Sequence, residues 1–351
     1  MSKMRKTVQI SRPFGRVGIW AFLWLLFFIG AAEAAVHLKP VQSQLLAPGV
    51  GNPNRTFEIQ LDRLKTRVDH GEHIDCVFIG SSRVLVGLDP EAVEKAYANI
   101  TGNDFKCQNF GVLGMGIQGS AGTATLLANL YHPRLIVIGT NFIDFGVGLP
   151  DQGIVDSPFV RQHSGHINFD GWVTTWSLAF RDYLAEVSYL AIDNAQDEYN
   201  YLGYNITKPN GFLPLIGHKT DNMQNWNNLN VHYKITVEST RPVKSILAIK
   251  KGNTQILFLE IPLRTSTFKA VPHAAEYRHE FEDGINFVLQ GSGSQIWLTQ
   301  DLNLIPESGW IESNHLNVDG AETFSKWVGE QLGKSVKDGS LILPEWSQPN
   351  P

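Results

Sequence analysis

The sequence predicts a parallel α/β sandwich of five strands, carried behind one apolar N-terminal segment and interrupted by one large insertion. Three observations predict it. Five short apolar runs, Cys76–Ile79, Phe105–Phe110, Leu135–Ile138, Ile256–Ile261 and Ile296–Leu298, are each followed by sequence with helical spacing. Strands covered on both faces by crossover helices read as continuous apolar runs, so this alternation belongs to a parallel sheet. A basic tip precedes a long uncharged stretch at the N-terminus. Finally, the interval 146–236 breaks the strand–helix rhythm between the third and fourth runs.

The tip, residues 1–16, holds Lys3, Arg5, Lys6, Arg12 and Arg16 with no acid. The whole chain has 29 Lys and Arg against 34 Asp and Glu, or −5. Removing the five basic residues of the tip leaves 24 against 34, so the remainder stands at −10. Val17 to Ala32 then runs without a charge, and extension past Glu33 to Val36 gives the ~20 residues needed to cross a bilayer. Basic residues before such a span predict a cytoplasmic N-terminus and an extracytoplasmic body. Residues 17–36 therefore read as a transmembrane anchor. The alternative is a signal peptide with its core at Ile19–Ile29 and a cut at Ala32-Glu33-Ala34, which would secrete the body.

Residues 37–73 read as a connector, punctuated by Pro40, Pro48, Gly49, Gly51 and Pro53 and followed by a polar amphipathic stretch, Phe57 to Val68. Residues 74–345 form the sheet domain, with helices expected at Pro90–Ala98, Gly119–Tyr131, Val237–Lys250, Ala274–Gln290 and Val318–Gly333. The insertion, 146–236, carries Trp172, Trp176, Tyr183, Tyr189, Tyr199, Tyr201, Tyr204 and Trp226, which read as an irregular aromatic layer. Residues 346–351 are a polar tail.

Several function classes are disfavoured. Two cysteines cannot make a disulfide scaffold or a cysteine-rich zinc module. An acidic body argues against nucleic acid as a partner. Gly111 to Gly116 has the wrong spacing for a dinucleotide loop, so neither nucleotide nor other cofactor is expected. His70 with His73, and His163 with His166, have i,i+3 spacing but no completing ligand set, so no metal is expected. Cys76 and Cys107 fall on the first two strands, where plain packing competes with a disulfide.

In an open parallel sheet, reactive groups gather at the carboxyl ends of the strands. There the sequence places Gly80-Ser81-Ser82-Arg83 after the first run, Asn109 through Gly116 after the second, and Gly139-Thr140-Asn141 after the third. Glu312-Ser313-Asn314-His315 precedes the last helix. These are components of acyl transfer: a serine that needs a base, a histidine that a carboxylate can hold, and donors for an oxyanion. The donors are the Ser82 and Gly114 backbone N–H groups and the Asn141 side-chain amide. Arg83 could attract an anion or simply form an ion pair, and Asp144 could be structural or touch substrate.

These blocks resemble the four motifs of the SGNH (GDSL-like) hydrolase superfamily, in that family's order from Gly80 to Gly320. The resemblance implies a flavodoxin-like three-layer sandwich, with Ser82 as nucleophile, His315 as base and Ser82, Gly114 and Asn141 as oxyanion hole. Three positions depart from the family pattern: Ser81 and Phe142 stand where aspartate is common, and Glu312 stands where aspartate normally orients the histidine. The reading is an extracytoplasmic esterase or O-acyltransferase acting on acyl esters of an envelope polysaccharide or lipid. Its alternative is a catalytically inactive envelope protein of the same fold that binds glycan or assists assembly.

Overall fold

The structure, a computed structural model, describes residues 14–42, 52, 54–145, 152–155, 157–166, 168–181, 183, 206–217, 235, 239–249 and 253–345. Five strands form one parallel sheet: β1 Cys76–Gly80, β2 Cys107–Gly111, β3 Leu135–Thr140, β4 Gln255–Glu260 and β5 Gln295–Trp297. Their order is β2-β1-β3-β4-β5, the flavodoxin-like doubly wound order, whose switch point lies between β1 and β3.

Every residue of β1 to β4 is buried, which explains why the strands read as unbroken apolar runs. Alternate side chains then divide between two cores. Val77, Ile79, Ile136, Ile138, Ile256 and Phe258 face one, which is covered by helices Arg55–Asp69, Ile117–Tyr131, Arg241–Ile249 and Ala274–Leu289. Cys76, Phe78, Leu135, Val137, Leu257 and Leu259 face the other, covered by Pro90–Thr101 and Val318–Lys337. Three layers result. Cys76 and Cys107 are register partners in β1 and β2, both buried and both free thiols. Burial, reinforced by the Cys76 sulfur, pushes the Cys107 thiol well up.

Two stretches differ from expectation. Arg55–Asp69, inside the segment read as a connector, is a helix that sends Phe57, Leu61 and Leu64 into the first core. Its start is fixed by Asn54, whose side chain accepts from Phe57 N–H. The amphipathic stretch read in the sequence is thus part of the packed body rather than of a free connector. In the insertion, Trp172, Trp176 and Tyr183 are exposed rather than gathered into a layer. Tyr189, Tyr199, Tyr201, Tyr204 and Trp226 lie outside the described residues, as do the polar tail and most of the basic tip.

At the N-terminus, Phe14–Val36 is one helix, and its segment Val17–Val36 is long and apolar enough to cross a membrane, with none of that segment buried. Glu33, near its end, accepts from Ser177 Oγ–H at 2.7 Å, Leu178 N–H at 2.8 Å and Ala179 N–H at 3.2 Å.

Candidate active site

The ends of β1, β2 and β3 are in register, so Gly80, Gly111 and Gly139 form one row across the sheet. The short helix Ser82–Gly87 lies directly over this row. A Cβ on Gly111 would strike the Leu85 backbone, and one on Gly80 or Gly139 would strike Val84. Glycine at all three positions therefore lets the helix sit close enough to aim its first residue, Ser82, out of the sheet end. Ser81 is the extended residue before it, and its carbonyl accepts from Val84 and Leu85.

Asn109 holds the other end of that helix. Its buried amide donates to the carbonyls of Val84 at 2.7 Å, Leu88 at 2.7 Å and Leu85 at 3.3 Å, while its oxygen accepts from Gly111 N–H. Val84 O also accepts from Leu88 N–H, whereas the Leu85 and Leu88 carbonyls have no further helical turn to bond to. The sequence reading treated Asn109 only as the start of a loop motif. A polar Gln-Asn pair inside a buried five-residue strand was the available signal, because buried amides are there to bond something.

His315 comes from a tight loop. Ile311 N–H donates to His315 O at 3.0 Å, and Trp310 and Leu316 form an antiparallel bridge at its mouth. Gly309 and Gly320 touch at backbone distance, which seats the loop on the helix Val318–Lys337. Within the loop, His315 Nδ1 bonds Glu312 Oε1, and His315 Nε2 lies 2.8 Å from Ser82 Oγ. A carboxylate only accepts, so Nδ1 carries the proton and Nε2 is left to accept from the serine hydroxyl. The structure thus brings Ser82, His315 and Glu312 into one chain of hydrogen bonds. Glutamate makes this contact from three residues before the histidine, on the same loop.

Gly114 adopts φ +68°, a left-handed conformation that glycine tolerates without cost, in a loop held by Val112 N–H to Gly80 O at 2.8 Å and Asn54 Nδ2 to Leu113 O at 3.1 Å. Asn141 follows β3. Its oxygen accepts from Ile143 N–H, and one hydrogen of its amide goes to Ile261 O at 3.1 Å. Arg83 and Asp144 form an ion pair with both side chains buried, and Asp144 also accepts from Asn141 N–H at 3.0 Å. Arg83 therefore points into the protein and ties the helix Ser82–Gly87 to the Asn141 turn. Both residues are structural in this arrangement.

One participating segment was missed by sequence reasoning. Residues 206–217, the described return of the insertion, run along the edge of β2 and then over the site. Asn210 O accepts from Asn109 N–H, and Leu85 O accepts from Leu213 N–H. Further on, Leu215 O accepts from Val318 N–H, and Gly217 O accepts from the Asn317 amide. This strap joins the serine helix to the histidine loop. Its Gly211, at φ +82°, lies where a Cβ would strike Asn109 O. One member of each histidine pair turns to its own helix: His70 Nδ1 meets Thr66 O, and His163 Nδ1 meets Phe159 O.

No protein-family model matches the chain, and no curated protein matches it. Among solved structures, the chain is similar to a lipase, Lip_vut3 from goat rumen metagenome. The identity is 10% and the TM-score 0.36, over 74% of this chain and 97% of that one. At that TM-score the likeness carries no argument about this chain's chemistry.

Proposed function

We propose that this protein is a membrane-anchored, extracytoplasmic serine enzyme of the SGNH type that cleaves or transfers acyl groups held as esters. The observation that carries the reading is His315, bonded through one ring nitrogen to Ser82 and through the other to Glu312. Ser82 Oγ attacks the ester carbonyl carbon while its proton passes to His315 Nε2. Glu312 stabilises the imidazolium that forms. The carbonyl oxygen, now an anion, meets the Ser82 and Gly114 N–H groups and the second hydrogen of the Asn141 amide. Each such donor contributes about 10²- to 10³-fold in rate. Collapse expels the alcohol, which takes the proton from His315 and leaves the acyl group on Ser82. Water as the second nucleophile gives hydrolysis, and a sugar hydroxyl gives transfer to an envelope polysaccharide.

Retention of the N-terminal helix, rather than its removal as a signal peptide, is supported by Glu33. A cut at Ala32-Glu33-Ala34 would break the helix that holds this carboxylate against Ser177–Ala179. A fluorophosphonate probe on the full-length protein tests the chemistry. Labelling that disappears in both Ser82→Ala and His315→Ala is the expected result. Absence of labelling in the unaltered protein, with full function of Ser82→Ala in cells, would overturn it in favour of a non-catalytic envelope protein.

A further inference from the structure

We infer that the short helix Phe169–Trp176 is a membrane-contacting element that lies in the bilayer interface beside the N-terminal anchor. The inference rests on the reading of Val17–Val36 as a retained span. Its own support is the surface of the insertion.

The helix has two unlike faces. Gly171 and Thr174 are buried, and a Cβ on Gly171 would strike Pro158 O, so that side is pressed against the body. On the opposite side, Phe169, Trp172 and Trp176 follow i, i+3, i+7 spacing and are 74%, 55% and 73% exposed. The Phe169 and Trp172 rings lie 6.2 Å apart, and Tyr183 adds a further exposed aromatic ring soon after. Three large aromatic rings turned to water on an eight-residue helix form a patch that soluble surfaces do not ordinarily leave open.

The position of the patch identifies its occupant. The three groups bonded by Glu33 are Ser177 Oγ–H, Leu178 N–H and Ala179 N–H, directly after Trp176 in the chain. Glu33 itself lies three residues before the end of the span, where a bilayer crossed by that span would pass from hydrocarbon to headgroups. The aromatic helix is therefore fixed by hydrogen bonds to the exit point of the anchor. Tryptophan and tyrosine favour that depth because the ring is apolar and the N–H or O–H can still reach water. The helix that carries the patch thus runs directly into the residues that Glu33 holds near the end of the span, and a lipid interface is the partner it fits.

Site-directed spin labelling in full-length protein, reconstituted in nanodiscs of mixed phosphatidylcholine and phosphatidylglycerol, tests this. Cys76 and Cys107 are buried, so labels enter only at Trp172→Cys, Trp176→Cys, a span reference Leu26→Cys and a water reference Lys326→Cys. The ratio of oxygen to aqueous nickel-reagent accessibility at 172 and 176 is expected to shift from the value at 326 toward the value at 26. Lipid-like values at 26 with water-like values at both 172 and 176 would overturn the inference and leave the anchor standing. Water-like values at 26 as well would overturn the anchor, and the inference with it.

Discussion

The serine side and the histidine side of the site are held by different means. Ser82 opens a helix laid across the ends of three strands, over a row of glycines, with Asn109 gripping its far end. The groups that fix it are backbone, the buried Asn109 amide and the buried Arg83–Asp144 ion pair, all inside the sandwich. His315 and Glu312 sit on a loop at the rim, half-exposed, tied down by Asn317, by the Gly309–Gly320 contact and by the strap 206–217. Packing positions Ser82, whereas the reach of one side chain positions His315. The first arrangement is stiff because close-packed interiors do not yield. The second tolerates change in the scaffold but not in side-chain length.

The largest effect separates chemistry from fold on the serine side. Ser82→Ala is expected to lower turnover by about 10⁴-fold or more with an unchanged thermal midpoint, since the side chain is only half-buried. Ester hydrolysis and calorimetry on the same preparation check this. Gly111→Ala attacks the packing instead. It should cost about 3 kcal/mol in urea unfolding, because the new methyl meets the Leu85 backbone, which cannot move aside.

On the histidine side, Glu312→Asp withdraws the carboxylate by one methylene. Activity should fall about 10²-fold while urea stability stays within about 0.5 kcal/mol. A loss of stability there, or full activity, would erase the contrast between the two sides. Asn317→Ala removes the cap of the last helix and the bond to the strap. About 1 kcal/mol is expected by chemical denaturation.

The smallest effect concerns the far end of the strap, where Lys208 bridges Asp89 at 2.9 Å and Glu91 at 3.2 Å. Burial alone would lower the Lys208 pKa, but these two carboxylates outweigh it and raise the value above the ordinary 10.5. Its contribution to stability is therefore fully present below pH 10.5 and is lost as pH rises through the raised folded value. Lys208→Ala should cost at most about 1 kcal/mol at neutral pH, and the cost should vanish in strong alkali. Thermal midpoints of the two proteins across the alkaline range measure it.

Much of this was legible before any coordinates. The strands showed themselves because burial on both faces leaves no place for charge, and the helices because their apolar stripes and caps lie within one segment. Ser82 and His315 were singled out because they stand at a strand end and before the last helix, and Glu312 because of the motif resemblance. The helix Arg55–Asp69 reads in sequence as an amphipathic stretch within a connector, because its proline-rich lead-in resembles a linker. The strap was missed for a different reason. Its contacts are backbone hydrogen bonds to Asn109, Leu85 and Val318, and backbone groups are the same in every residue.

The sequence by itself determined the parallel sandwich, the apolar segment behind a basic tip, and which residues stand at the strand ends. Those are properties of local pattern, since each element carries its own period and its own stop. Only the tertiary structure decided that Glu312 reaches His315, that Arg83 turns inward to Asp144, and that Glu33 holds the insertion beside the apolar N-terminal helix. Each of these joins groups whose distance is set by how layers and loops pack, and the packing of layers and loops has no period to read along the chain.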